Sequence, residues 1–349
     1  MKLFSFLLLT LFFIGCDDDS VSSDTSENTS WVFVANEGGF FSSNGTVSMI
    51  DSFGNVTETE SLGDVVQSVL VYEDKLFVAV NNSQKLLVFD ISTSGLSNMQ
   101  EITTDGLSPR EMVVNNDKLY VTVWDPDYYV YPVVPGNVKV YDLSSYEIIS
   151  TVQTGIMPEG TLVYDGYLWV ANSGEDSISK IDMQSNLVAS THSVGEGPQN
   201  LIALDSDLYI ARRYYDANYN EFHGSSKISI SGSDTNVTSS NYTNWASFVA
   251  SCSGSVLNYN NTVYRSFAGG IAPLMEDLSM NESARIGTLS SVYHAEIINN
   301  QIWFGITVLG ESGYVTNEPG SVKVLDLNGL EIASYDVGIN PGDFSYWTK

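Results

Sequence analysis

Ser68-Val69-Leu70-Val71-Tyr72-Glu73-Asp74-Lys75-Leu76-Phe77-Val78-Ala79 is an apolar strand, a short turn and a second strand with an aromatic residue at its centre. The alternation on either side of Glu73-Asp74 has period two, which is that of a β-strand. The unit returns along the chain. Met112-Val113-Val114 precedes Lys118-Leu119-Tyr120-Val121, and Leu162-Val163-Tyr164 precedes Tyr167-Leu168-Trp169-Val170. Three further copies carry Tyr209, Tyr264 and Trp303 at the same place, and Phe33 marks an opening copy without its first strand. The markers Phe33, Phe77, Tyr120, Trp169, Tyr209, Tyr264 and Trp303 recur at intervals of 39 to 55 residues, about 45 on average. A repeat of that length with several strands per unit predicts a β-propeller. Residues 31–349 hold seven units, so the expected fold is all-β with seven blades. The chain ends in a surplus strand, Asp343-Phe344-Ser345-Tyr346-Trp347-Thr348, which supplies what the first copy lacks. Closing the ring this way leaves no open sheet edge. Third strands such as Asn137-Val138-Lys139-Val140-Tyr141-Asp142 end at Asp, a turn-former. Blade six fits least well, because Gly269 to Ser283 has no clean assignment.

Composition agrees with a folded β-rich domain: 43% hydrophobic, 12% aromatic and 16% charged residues. The balance of 14 Lys+Arg against 42 Asp+Glu gives a formal charge of −28 and no basic cluster, which argues against nucleic acid and against adhesion to an anionic membrane surface. Before the propeller lies a different kind of segment. Leu3 to Ile14 is apolar except for Ser5 and Thr10, too short to span a bilayer and suited to a signal-peptide core. Phe13-Ile14-Gly15-Cys16 resembles a bacterial lipobox, with Phe where Leu is usual. The expected organisation is therefore a lipoprotein signal peptide (1–15), a lipidated Cys16 with a flexible tether (16–30), and the propeller (31–349). Asp17-Asp18-Asp19 is similar to the export tag of Bacteroidetes surface lipoproteins, or else begins a solvated spacer. With Cys16 acylated, Cys252 has no disulfide partner and reads as a small buried residue.

Trp169-Val170-Ala171-Asn172-Ser173-Gly174, Ser179-Lys180-Ile181-Asp182 and Val194-Gly195-Glu196-Gly197-Pro198 resemble YncE-type propellers. Val34-Ala35-Asn36-Glu37-Gly38-Gly39 with Ser43-Asn44-Gly45-Thr46-Val47 is similar to the start of the related Bacteroidetes surface propellers. That group includes the lipoprotein that captures vitamin B12 for a TonB-dependent transporter. The resemblance implies an outer-membrane, surface-exposed protein with a corrinoid (cobalamin) as candidate ligand and such a transporter as candidate partner.

In a propeller, the loops between blades and those joining second to third strands share a face. Here several are long and aromatic. Blade three inserts Trp124, Tyr128, Tyr129 and Tyr131; blade five inserts Tyr214, Tyr215, Tyr219 and Phe222; blade seven inserts Tyr314. Such residues either form a binding platform, since Tyr and Trp give large contacts at low entropic cost, or fold over one another. Arg110, Arg212 and Arg213 fall on the same face, there to orient an anionic group or to neutralise nearby Asp and Glu such as Glu111, Asp216 and Glu221. Glu159, Gln199 and Asn200 at blade junctions are candidate polar contacts.

Motifs for chemistry are sparse. There is no nucleophile elbow, dinucleotide fingerprint or EF-hand, and His192, His223 and His294 have no metal-ligand spacing, so neither metal nor cofactor is expected. The leading expectation is a non-enzymatic ligand-binding lipoprotein. Its rivals are a lyase or hydrolase using His294, beside His223, with Glu159 or Glu296, and a passive adhesion or scaffold module.

Overall fold

The structure is a computed structural model that describes residues 29–232, 234–242, 254–311 and 313–349. The expected lipobox with Cys16, the Asp17-Asp18-Asp19 run and Cys252 lie outside the described residues. Among the described residues seven separate antiparallel sheets make the seven blades, six of them four-stranded. Their first strands are Pro341–Thr348, Val66–Tyr72, Ser108–Asn115, Pro158–Tyr164, Pro198–Leu204, Val256–Tyr259 and Val292–Ile298. Each touches the first strand of the next blade, so these seven line the axis.

The C-terminal strand pairs with Ser30–Asn36, from Ser30 opposite Thr348 to Asn36 opposite Pro341, and so completes blade one. It also grips blade two. Asp343 Oδ2 accepts from the Val69 N–H at 2.8 Å, Ser345 Oγ accepts from the Val71 N–H at 2.8 Å, and Trp347 Nε1 donates to Asp74. Ring closure therefore locks three strands from opposite ends of the chain.

Packing is face to face between neighbouring sheets. Phe33, Ala35 and Val47 of blade one meet Leu76, Val78 and Leu87 of blade two, all buried. Among the repeat markers Phe33, Phe77, Tyr120, Trp169 and Trp303 are buried, while Tyr209 and Tyr264 are half-buried. Burying one such side chain stabilises by about 1.5–3 kcal/mol, which explains an aromatic at this position in every unit. The Asp that ends a third strand does turn work: Asp142 Oδ1 accepts from the N–H groups of Ser144 and Ser145, and Asp182 Oδ1 from those of Gln184 and Ser185. Blade six is the three-stranded exception, its last strand being Gly270–Pro273. Beyond it only isolated bridges, Ile271 to Ile286 and Leu274 to Met280, and a short 3-10 turn at Glu282–Ala284 follow. Among the described residues no helix is long and apolar enough to cross a membrane.

Candidate functional site

The first strands share an irregularity at their starts. In six blades the pairing with the neighbouring strand shifts there, leaving extra residues such as Gln67, Arg110 with Glu111, Glu159 with Gly160, Gln199, Tyr293 and Gly342. A bulge re-aims side chains that would otherwise alternate across the sheet. The residue just before the strand is left-handed at Val65, Met157, Gly197, Ser291 and Asn340. At Gly197 the need is absolute, since a Cβ would sit 1.9 Å from the Arg213 carbonyl oxygen. Backbone held in this region is strained for a β-branched residue such as Val65 and clusters at functional sites.

The bulges turn polar side chains into the mouth of the axial channel, a cavity of about 110 Å³. Glu37, Glu111, Glu159, Glu296 and Asp343 all line it, together with His294. So many carboxyls in a buried space do not all ionise readily. Burial pushes Glu37 up to about 7 despite the 2.7 Å hydrogen bond donated by the Tyr293 hydroxyl. Burial, then the charge of Glu296, pushes Asp343 up to about 7, and burial with the charges of Asp343 and Glu159 raises Glu111. For His294 burial favours the neutral ring, but Glu296, Asp343 and Glu37 outweigh it and raise its pKa.

Directly beside the channel opens a cleft of about 800 Å³ between blades three, four and five. Arg110 and Glu159 separate the two spaces. The guanidinium holds the Glu159 carboxylate through three hydrogen bonds of 3.2, 2.9 and 2.6 Å, donates to Gln67, and lies 4.1 Å over the Trp124 ring. Trp124 is fixed in turn by its Nε1, which donates to the Pro158 carbonyl at 2.8 Å. The far wall is Arg213, Tyr214 and Tyr215, and the intervening blade four adds Glu175 and Asp176. Arg213 is bound to Glu221 at 2.7 Å and to the Tyr215 hydroxyl. Burial opposes the charge on Glu221, but hydrogen bonds from His223 and Arg213 hold its pKa at about 2.

A second cleft of about 540 Å³ lies on the other side of the blade-three loop. Tyr128 and Tyr129 face Phe40 and Phe41 of the blade-one loop across it, and Tyr128 meets Trp124 edge-on at 5.2 Å. The phenylalanine pair, 4.2 Å apart, is a feature the sequence reading passed over, although two adjacent Phe in a Gly-, Ser- and Asn-rich loop have no core to enter.

Of the expected contact residues, the structure brings Arg110, Trp124, Gln199, Arg213, Tyr214 and Tyr215 into the large cleft. Tyr128 and Tyr129 line the second cleft, and Glu159, Gln199 and Asn200 line the channel mouth. Tyr131, Tyr219 and Tyr314 are exposed and line none of these three spaces, while Phe222 stacks on Tyr214 behind the cleft wall. Arg212 is a correction. The strand expected to end near it runs on through Asp207–Tyr215, and the next begins at Glu221, so only 216–220 is loop. Alternation then turns Arg213 outward and Arg212 inward. Arg212 is 2% exposed and donates to the carbonyls of Glu196 and Ser240 and to Asn241, which makes it a packing residue. His223 sits on the same extended hairpin, buried against Glu221 and away from the channel. His294 has Glu296 as a neighbour, as expected, whereas Glu159 is taken by Arg110. Its other neighbour, Asp343, arrives only through ring closure.

A closed ring of seven sheets, with a polar channel mouth and aromatic clefts on one face, is a seven-bladed β-propeller. The chain belongs to the family described as "Domain of unknown function (DUF5074)", whose model matches residues 31–340. No curated protein matches it. Among solved structures it is similar to a "putative 6-phosphogluconolactonase" from Bacteroides uniformis, with a TM-score of 0.64 at 12% identity over 92% of this chain and 99% of that one. A protein of the same description from Bacteroides fragilis gives 0.64 and 12% over 93% and 99%, and a protein from Lactobacillus plantarum with no activity in its description gives 0.63 and 10% over 92% and 99%. At such identities the likeness is one of fold.

Proposed function

We propose that this protein is a non-enzymatic lipoprotein of the outer-membrane surface that captures a small molecule on its loop-rich face and passes it to a TonB-dependent transporter. The observation that carries the reading is the 800 Å³ cleft walled by Trp124, Tyr214 and Tyr215, within the range of about 300–1,000 Å³ typical of small-molecule sites. A corrinoid remains the sharpest candidate. Its macrocycle suits flat aromatic walls, and its amide periphery suits the acceptors Glu175, Asp176 and Glu196 and the amide of Gln199. Arg110 and Arg213 neutralise neighbouring carboxylates, the second of the two parts the sequence offers for them. Arg110 and Arg213 are already bound to Glu159 and Glu221, so contacts to the amide groups, more than to a phosphate, support the fit.

The test is calorimetry of the full-length protein in detergent with cyanocobalamin. Saturating ligand at about 100 times its Kd stabilises a protein by roughly 2.7 kcal/mol, readable as a raised Tm. Absence of both heat and stabilisation would remove the corrinoid. A hydrolase or lyase is the second reading, favoured by His294 lying 4.0 Å from Glu296 and 3.8 Å from Asp343 in the channel mouth. Turnover of a sugar lactone that disappears in His294→Ala would establish it in place of capture.

A further inference from the structure

Among the described residues, His294 Nε2 is a buried nitrogen with no hydrogen-bond partner, on a side chain only 12% exposed. It points between two carboxylates without reaching either, 3.8 Å from Asp343 Oδ1 and 4.0 Å from Glu296 Oε1. An imidazolium ion-paired with these groups would close to hydrogen-bond distance, about 2.7–2.9 Å. An orphaned polar atom facing two oxygens at longer range calls for something between them.

The three ligand atoms lie within 4.8 Å of one another. Ligands at about 2.0–2.1 Å from a tetrahedral ion stand roughly 3.3 Å apart, so a modest rotation of the partly exposed Glu296 would bring the set onto one ion. The supporting contacts suit that role. Asp343 Oδ2 is held by the Val69 N–H, which leaves Oδ1 toward His294, as outer partners orient ligating carboxylates. The Phe344 ring, 5.6 Å from the imidazole, shields one side. The cavity of about 110 Å³ leaves room for waters to complete the coordination, and Glu37 and Glu111 line it as further oxygen donors.

We propose that His294, Glu296 and Asp343 form a site for a divalent transition-metal ion at the channel mouth. One imidazole nitrogen with two carboxylate oxygens is a borderline donor set, which fits zinc or manganese better than the all-oxygen shells that calcium and magnesium take. The site straddles the seam of the ring. His294 and Glu296 belong to the first strand of blade seven, and Asp343 to the strand that closes blade one. The bound ion would therefore fasten the last blade to the first. The inference concerns a cavity other than the ligand cleft and stands whatever that cleft binds.

The experiment uses the full-length protein in detergent, stripped with a chelator and titrated with zinc by calorimetry. Cobalt is added in parallel for its visible absorption, and thermal melts are recorded with and without zinc. One equivalent should bind, raise the Tm and, with cobalt, give a ligand-field band. His294→Ala and Asp343→Asn should each weaken binding at least about tenfold and abolish the zinc-dependent Tm increase. Asp343→Asn keeps an acceptor for the Val69 N–H, so it tests the ligand role even if His294→Ala folds poorly. Glu296→Gln should show a comparable loss. Wild-type protein that takes up no zinc, or binding of unchanged affinity in both His294→Ala and Asp343→Asn, overturns the site.

Discussion

The cleft and the channel mouth adjoin one another on the same face, yet they are built by different means. The cleft is a product of length: hairpins that run past the body of the sheet, and a loop from 125 to 136, raise aromatic walls around a wide space. The channel mouth is a product of register. Extra residues at the starts of the first strands turn carboxyls, amides and an imidazole inward without lengthening anything. Under the proposed function, changes to the cleft should therefore alter ligand capture and leave the ring alone, whereas changes to the mouth should be felt in the stability of the whole.

Truncation after Asn340 is the severest trial of that contrast. It removes Asp343 from the mouth and the partner of Ser30–Asn36, and the cooperative melting transition should disappear in calorimetry. Next in size is Arg110→Ala, which strands the buried Glu159 carboxylate. Chemical denaturation should show a loss on the order of 3–5 kcal/mol, partly restored by adding Glu159→Gln. The third concerns pH, with a chelator present. Glu37 has its folded pKa raised from 4.5 to about 7, so its contribution is fully present below about pH 4.5 and is lost as pH rises toward 7. Arg110, Glu159, His294 and the Tyr293 hydroxyl face this group. Glu37→Gln, which can still accept from Tyr293, should gain about 1–3 kcal/mol at pH 8 and little at pH 4.5 in melts at the two pH values. The smallest effect belongs to the outlying aromatics. Tyr131→Ser, Tyr219→Ser and Tyr314→Ser should each shift stability by no more than about 0.5 kcal/mol, because these side chains are exposed. A large loss from any of them would erase the distinction between a movable rim and a fixed mouth.

The sequence makes the ring legible because burial repeats. A strand pair that packs against both neighbours needs the same apolar-aromatic-apolar pattern in each unit, and the missing strand at Trp31 announces the spare one at Asp343. Blade six is blurred for the same reason, since among the described residues only three strands pair there. The site is less legible. A bulge leaves no mark in a period-two pattern, so Glu159 and Gln199 could be placed at junctions but not aimed. Asp343 and His294 are 49 residues apart in sequence and meet only because the ring closes. The error at Arg212 came from treating a long hairpin as an insertion: strand alternation separates it from Arg213, and that rule applies only once the strand is known to continue.

The pairing of Ser30 with Thr348 and of Asn36 with Pro341 sets a direction as well as a seal. The polypeptide enters the ring on the side opposite the clefts and climbs toward them, and its final residue returns to the entry point, where the Lys349 N–H donates to the Thr29 carbonyl. Anything fastened upstream of Thr29 would hold the molecule by its plain underside, leaving the clefts and the channel mouth turned outward like an open hand.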